Sequence, residues 1–132
     1  MHQIPILPRS SETNSGGHIG ATALSVWFEE GCQAFIVHIL PGFDFNYFMA
    51  RTEQNFLREI FHGTEVSVRN YVHKIGNSSV SIGHQVWQND QLCSEAISVV
   101  VYVSRESNKP APLPDFVRET LQKHLKPEES DN

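Results

Sequence analysis

Cysteine is scarce in this chain: Cys32 and Cys93 stand far apart, with no C-x-x-C spacing. That excludes a zinc knuckle and a dense disulfide framework, and makes a reducing, cytoplasmic setting the expectation. Basic residues are few as well, ten Lys and Arg against fifteen Asp and Glu, for a formal net charge of -5. A general nucleic-acid binder has no electrostatic footing on such a chain. No apolar run approaches the ~18 residues of a membrane span, so no membrane association is expected. Met1 to Ser11, interrupted by Pro5 and Pro8, lacks the charged start and apolar stretch of a signal peptide. No H-E-x-x-H or comparable spacing joins the histidines, so no metal is assigned. What remains is 132 residues, enough to close one core without staples. The expectation is a single domain over residues 1–127 and a polar, acidic tail over 128–132.

From Ala21 to Leu40 the positions Leu24, Trp27, Phe28, Gly31, Phe35 and His38 recur at steps of three and four, which predicts a helix lying on a core. Pro41 and Gly42 stop it. At ~1.5 Å per residue it is long enough to cross a whole sheet. Gly31 in its middle costs ~1 kcal/mol relative to Ala, so something is expected to approach the backbone closely there. Four extended runs follow: Tyr47 to Leu57, Glu65 to Ile75, Ser78 to Gln88 and Gln91 to Ser104. Val66, Val68 and Val72 alternate with polar residues, as do Val80, Ile82 and Val86, the period of strands with one covered face. Gly76-Asn77 and Asn89-Asp90 are hairpin signals, so a meander of consecutive antiparallel strands is expected. Ile97 to Val103, almost wholly apolar, reads as a central strand covered on both faces. A first strand near Gln3 to Leu7 and a last short helix with Val117, Leu121 and Leu125 on one stripe complete an α+β layer. The Tyr47 to Leu57 run is left free to pair with a second copy.

The loop Glu12-Thr-Asn-Ser-Gly-Gly-His18-Ile-Gly20 precedes the long helix. Glycines let a backbone approach a ligand, and the unpaired N–H groups of a first helical turn carry positive partial charge. Gly17, Gly20 and Ala21 are therefore candidate oxyanion donors. The alternative is an ordinary turn built by Asn14 and Ser15. His18 has the chemistry of a neutral-pH base, or closes the loop as a satisfied side chain. Glu29 and Glu30 point about 100° apart, so at most one faces a pocket. Arg58, Arg69, Lys74 and Arg105 flank strand ends, as phosphate grips or as solvated cations. Cys32 and Cys93 read as buried small hydrophobes.

Six segments occur in order: Thr13-Asn14-x-x-Gly17-His18-Ile19-Gly20, Trp27-Phe28-Glu29-Glu30, Met49-Ala50-Arg51-x-Glu53-x-x-Phe56-Leu57, His62-Gly63-x-Glu65-Val66, Gly76-Asn77-Ser78-Ser79 and Pro112-Leu113-Pro114. Together they resemble the hotdog-fold acyl-CoA thioesterases of the 4-hydroxybenzoyl-CoA thioesterase-like type. The resemblance implies a central helix wrapped by an antiparallel sheet, and a homodimer or dimer of dimers with active sites between protomers. It also implies hydrolysis of an acyl-CoA substrate without any cofactor, coenzyme A being part of that substrate. The family's usual Asp-x-x-Gly-His is altered here, Asn14 standing at the aspartate position and Cys32 at a frequent arginine. A carboxamide orients a water but cannot take its proton. Catalysis then falls to Asn14 with His18 or Glu29 as base, or to Glu12. Otherwise the chain is a non-catalytic acyl-thioester binder, or an enoyl-CoA hydratase of the same fold. Phosphoadenosine contacts carry over to Arg58, Lys74, Asn77 and Ser78, and Trp27, Phe28, Phe45, Phe48 and Trp87 are candidates for setting acyl-pocket depth.

Overall fold

The computed structural model describes residues 1–126, so the tail expected at 128–132 lies outside the described residues. Strand β1 (His2–Ile6) leads through a 3-10 turn at Ser10–Glu12 to helix α1 (Ala21–Ile39). Strands β2 (Tyr47–Phe56), β3 (Val66–Ile75), β4 (Ser79–Gln88) and β5 (Gln91–Ser104) follow, then a short β6 (Lys109–Pro110) and helix α2 (Asp115–Gln122). All pairings among named strands are antiparallel. Asn89 and Asp90 both adopt positive φ, 51° and 60°, which is the two-residue turn that matches strand twist.

The sheet order is β1-β3-β4-β5-β2, so the expected meander holds only for β3, β4 and β5. Strand β2 does not pair with β3. It crosses to the far edge beside β5, where Glu53 faces Ile97 and Phe48 faces Val101. The reason is the apolar content of β5, which gains two hydrogen-bonded neighbours by lying inside the sheet. Its outward residues Ile97, Val99 and Val101 are only half-buried, so this strand is central but not covered on both faces.

Helix α1 buries Leu24, Trp27, Phe28, Phe35, Ile36 and Ile39 against one sheet face. His38 leaves the expected stripe and is exposed, because Ile36 and Ile39 take the core positions of the last turn. The core divides into two apolar halves. Between them Asn70, His84 and Ser98 form a fully buried polar belt. Asn70 Nδ2 donates to His84 Nδ1 at 2.6 Å and to the Gly83 carbonyl at 3.4 Å, and His84 Nε2 meets Ser98 Oγ at 2.9 Å. Because that amide also donates to a carbonyl, its orientation is fixed, so His84 accepts at Nδ1 and carries its proton at Nε2. Burial drives its pKa down from 6.5 to about 4, which keeps the ring neutral. Gly31 packs over this belt, where a Cβ would sit 2.8 Å from both Asn70 Oδ1 and Val68 Cγ1. Val117 and Leu121 of α2 close the other end of the core, while Leu125 is exposed. No helix among the described residues is long and apolar enough to cross a membrane.

Candidate active site

The crossing of β2 builds the site. To reach β3 from the far edge, residues 57–65 must run along the ends of the intervening strands, and this link passes beneath the N-terminus of α1. Cys93 O accepts from the Leu57 and Arg58 N–H groups at 2.9 and 3.0 Å. Buried Gln88 accepts from the Phe61 N–H and donates to the Phe61 and Thr64 carbonyls. The Ile19 N–H donates to Ile60 O at 2.9 Å, tying the link to the loop before the helix.

That loop is locked from within. Asn14 Oδ1 accepts from the Gly16 N–H at 3.0 Å and from the His18 N–H at 3.3 Å, while its backbone N–H donates to His18 O at 2.7 Å. The Gly17 N–H donates to Asn14 O, with Gly17 at φ +80°, and the Gly20 N–H donates to Glu12 O. Two of the three expected oxyanion donors, Gly17 and Gly20, are therefore engaged inside the loop. Gly20 caps α1 without a side-chain bond, so of the three the Ala21 N–H is the one with no partner among the described residues.

Glu12 borders a second cavity, lined also by Arg9, Thr13, Asn14, Gly20 and Val26, but its carboxylate is already engaged. Its Oε1 accepts from the Arg9 N–H and its Oε2 from the buried Trp27 indole, both at 2.9 Å. Burial works to raise its pKa, but the Arg9 N–H, the Trp27 N–H and the Arg9 charge outweigh it and hold the carboxyl below its ordinary value. With both oxygens occupied, Glu12 is a brace for the loop rather than a base.

A cavity of about 460 Å³ opens beside the helix N-terminus, lined by Asn14, Ile19, Ala21, Leu24, Phe56, Leu57, Arg58, Glu59 and Ile60. His18 stands next to it, its Nδ1 3.0 Å from Glu59 Oε2 and its ring edge-on to Phe61 with centroids 5.2 Å apart. Asn14, His18, Ala21 and Arg58 are thus brought together. Glu29 is not: eight residues further along α1, it lines a separate cavity with Gln33, Tyr47, Met49 and Arg105. Lys74, Asn77 and Ser78 sit at the opposite end of β3 from the link that carries Arg58, about 30 Å away at the usual strand rise. The Ser78 carbonyl accepts from the Tyr102 N–H of β5, and the Asn77 carbonyl from the Leu113 N–H in the chain after it. None of the five aromatics expected to set pocket depth lines the Asn14 cavity; Leu24, Phe56, Leu57 and Ile60 do. Cys32 and Cys93 are buried, and burial pushes the Cys32 thiol up to about 11. Among the described residues no group of three His, Cys, Asp or Glu is arranged to hold a metal ion.

Glu59 is the functional candidate that the sequence did not announce. It lies 41 positions from His18, and no local pattern links the two.

No curated protein matches the chain at a significant level. Among solved structures, a predicted thioesterase from Bacillus stearothermophilus is 31% identical at a TM-score of 0.86, covering 94% of this chain and 96% of that one. A thioesterase from Thermus thermophilus, solved with coenzyme A and zinc, is 25% identical at a TM-score of 0.84, covering 92% and 91%. A 1,4-dihydroxy-2-naphthoyl-CoA thioesterase from Synechocystis shares the fold at 15% identity and a TM-score of 0.75, covering 91% and 94%. The family model described as the thioesterase-like superfamily matches residues 8–121. With its long helix held in an antiparallel sheet, this α+β hotdog chain belongs to the thioesterase-like superfamily.

Proposed function

We propose that this chain hydrolyses an acyl-CoA thioester to the free acid and coenzyme A at the cavity beside Asn14. The observation that carries the reading is the commitment of Asn14 Oδ1 to two loop N–H groups. The end of the carboxamide left for a ligand is then Nδ2, a donor, and the Ala21 N–H borders the same cavity. Two such donors stabilise the oxygen of a thioester carbonyl as it gains charge. His18 Nε2 takes a proton from water as the water oxygen bonds to the carbonyl carbon. Collapse of the tetrahedral oxyanion breaks the C–S bond, and the imidazolium returns its proton to the departing thiolate. The balance is one water consumed, one acid and one thiol released.

Leu24, Phe56, Leu57 and Ile60 offer an apolar wall for the acyl group, and Arg58 a cation for the phosphoadenosine end. Lys74, Asn77, Ser78 and Glu29 would meet a ligand in this cavity only from a second copy of the chain. A homodimer joined along β2, and a dimer of dimers beyond it, belong to this reading. The outer edge of β2 is unpaired among the described residues, Phe48 and Phe56 are exposed, and Arg51 and Glu53 flank Thr52 as self-complementary charges.

The test is thiol release from a panel of saturated and aromatic acyl-CoA esters, with Asn14→Ala, Asn14→Asp and His18→Ala. Asp keeps both loop hydrogen bonds but removes the donor, so Asn14→Asp is expected to lower kcat by about 10²-fold, as does loss of one oxyanion donor. His18→Ala should cost about 10²-fold or more. A faster Asn14→Asp enzyme would overturn the donor role, and tight CoA-ester binding with no thiol release would make the chain a binder.

A further inference from the structure

The His18 ring has a charged neighbour at one nitrogen only. Nδ1 lies 3.0 Å from Glu59 Oε2, while Nε2 makes no hydrogen bond among the described residues. We propose that Glu59 is the positioning residue for His18, holding the neutral ring as its Nδ1–H tautomer so that Nε2 is the bare nitrogen offered to water. The inference rests on the reading of His18 as base.

A carboxylate only accepts, so the ring atom facing it must carry hydrogen. A neutral imidazole has one N–H, and placing it at Nδ1 leaves a lone pair at Nε2. The same carboxylate stabilises the imidazolium that forms when water gives up its proton. The pair also has a fixed frame, because the residues following each partner, Ile19 and Ile60, are joined by a backbone hydrogen bond at 2.9 Å. Phe61 fixes the ring from its edge. Of the other charged groups bordering the loop, Glu12 has both oxygens occupied, Arg9 is paired with Glu12, and Arg58 lines the same cavity. Glu59 is therefore the carboxylate that meets the ring. Both side chains are partly exposed, 37% for His18 and 62% for Glu59, so the pair contributes little to folding and its removal reads out on chemistry.

The experiment compares Glu59→Ala, which removes the acceptor, with Glu59→Gln, which keeps an acceptor oxygen but not the charge. Nitrogen NMR of the His18 ring is recorded beside kcat and KM across pH. In the unsubstituted chain the neutral ring should be protonated at Nδ1. Glu59→Ala should shift it toward the Nε2–H form and lower kcat about tenfold or more. The melting temperature should stay within a few degrees. Glu59→Gln should keep the Nδ1–H signature and most of kcat. Unchanged ring signals in Glu59→Ala would overturn the proposal. So would a higher KM at unchanged kcat, which would make Glu59 a substrate contact. A His18→Ala enzyme with full turnover would instead remove the base reading itself, whatever the tautomer.

Discussion

Replacing Gly31 by Ala sets two effects of known size against each other. In an ordinary helix interior the change gains about 1 kcal/mol, because Ala orders its backbone at lower entropic cost. Here the new methyl would stand 2.8 Å from Val68 Cγ1 and 2.8 Å from Asn70 Oδ1, inside van der Waals contact on two sides. Neither neighbour is free to yield. Val68 is fully buried in the core, and Asn70 is bonded to both Gly83 and His84. Overpacking of this kind costs about 1–3 kcal/mol, and a displaced Asn70 would leave the buried His84 Nδ1 without its donor, a further 1–3 kcal/mol. Gly31→Ala is therefore expected to destabilise by about 1–5 kcal/mol net, a fall in melting temperature of roughly 4 °C per kcal/mol for a chain of this size. Urea unfolding followed by the fluorescence of buried Trp27, at one fixed protein concentration, measures it. Val68→Ala removes one of the two clashes, so the double variant should recover at least about 1 kcal/mol relative to the sum of the singles. A Gly31→Ala protein more stable than its parent would refute the close approach and the packing account built on it.

The brace role of Glu12 predicts that Glu12→Gln, which keeps an acceptor for the Trp27 indole, retains most turnover. Glu12→Ala strands that N–H and should cost about 1–3 kcal/mol in urea unfolding, whereas loss of activity in a fully folded Glu12→Gln would restore Glu12 as base. Stability should also fall as pH drops from about 6.5 toward 4. In that window the unfolded chain binds a proton at His84 that the native chain refuses, since the native pKa is held down at about 4. The full difference is up to about 3 kcal/mol at 1.36 kcal/mol per unit. His2 and His124, both lowered by burial and neighbouring positive charge, act in the same direction. Urea midpoints at pH 7, 5.5 and 4.5 check this, and a midpoint that does not move would show that His84 is not buried and neutral.

The elements legible in the sequence are those written in local periodicity. Alternation across Val66–Val72 and Val80–Val86, together with the turn residues at 76–77 and 89–90, located three strands to within a residue of their ends. Gly31 in a helix stripe announced the close approach found there. The place of β2 beside β5 was not legible, because edge and centre are decided by the whole sheet. The polar belt had a signal that parity supplies: Asn70 and His84 fall on the inward positions of their strands, in step with Val68 and Val86. The site was half legible. Asn14, His18 and Ala21 are close in sequence and close in space. Glu59 joins them only through the return of residues 57–65, and no spacing rule spans that distance. Nor does the sequence tell which N–H groups a loop spends on itself, which is why Gly17 and Gly20 looked available.

The line from Asn70 through His84 to Ser98 has a consequence for how the strands find one another. Valine holds the inward positions of β3 on both sides of Asn70, so sliding β3 by two residues against β4 would set Val66 against Val86 in place of Val68 and lose little apolar contact there. The same slide would carry an amide away from an imidazole and leave both stranded in a dry interior, at several kcal/mol. Greasy side chains choose which face turns inward; three polar ones, meeting at a single depth, decide where along its length each strand must stop.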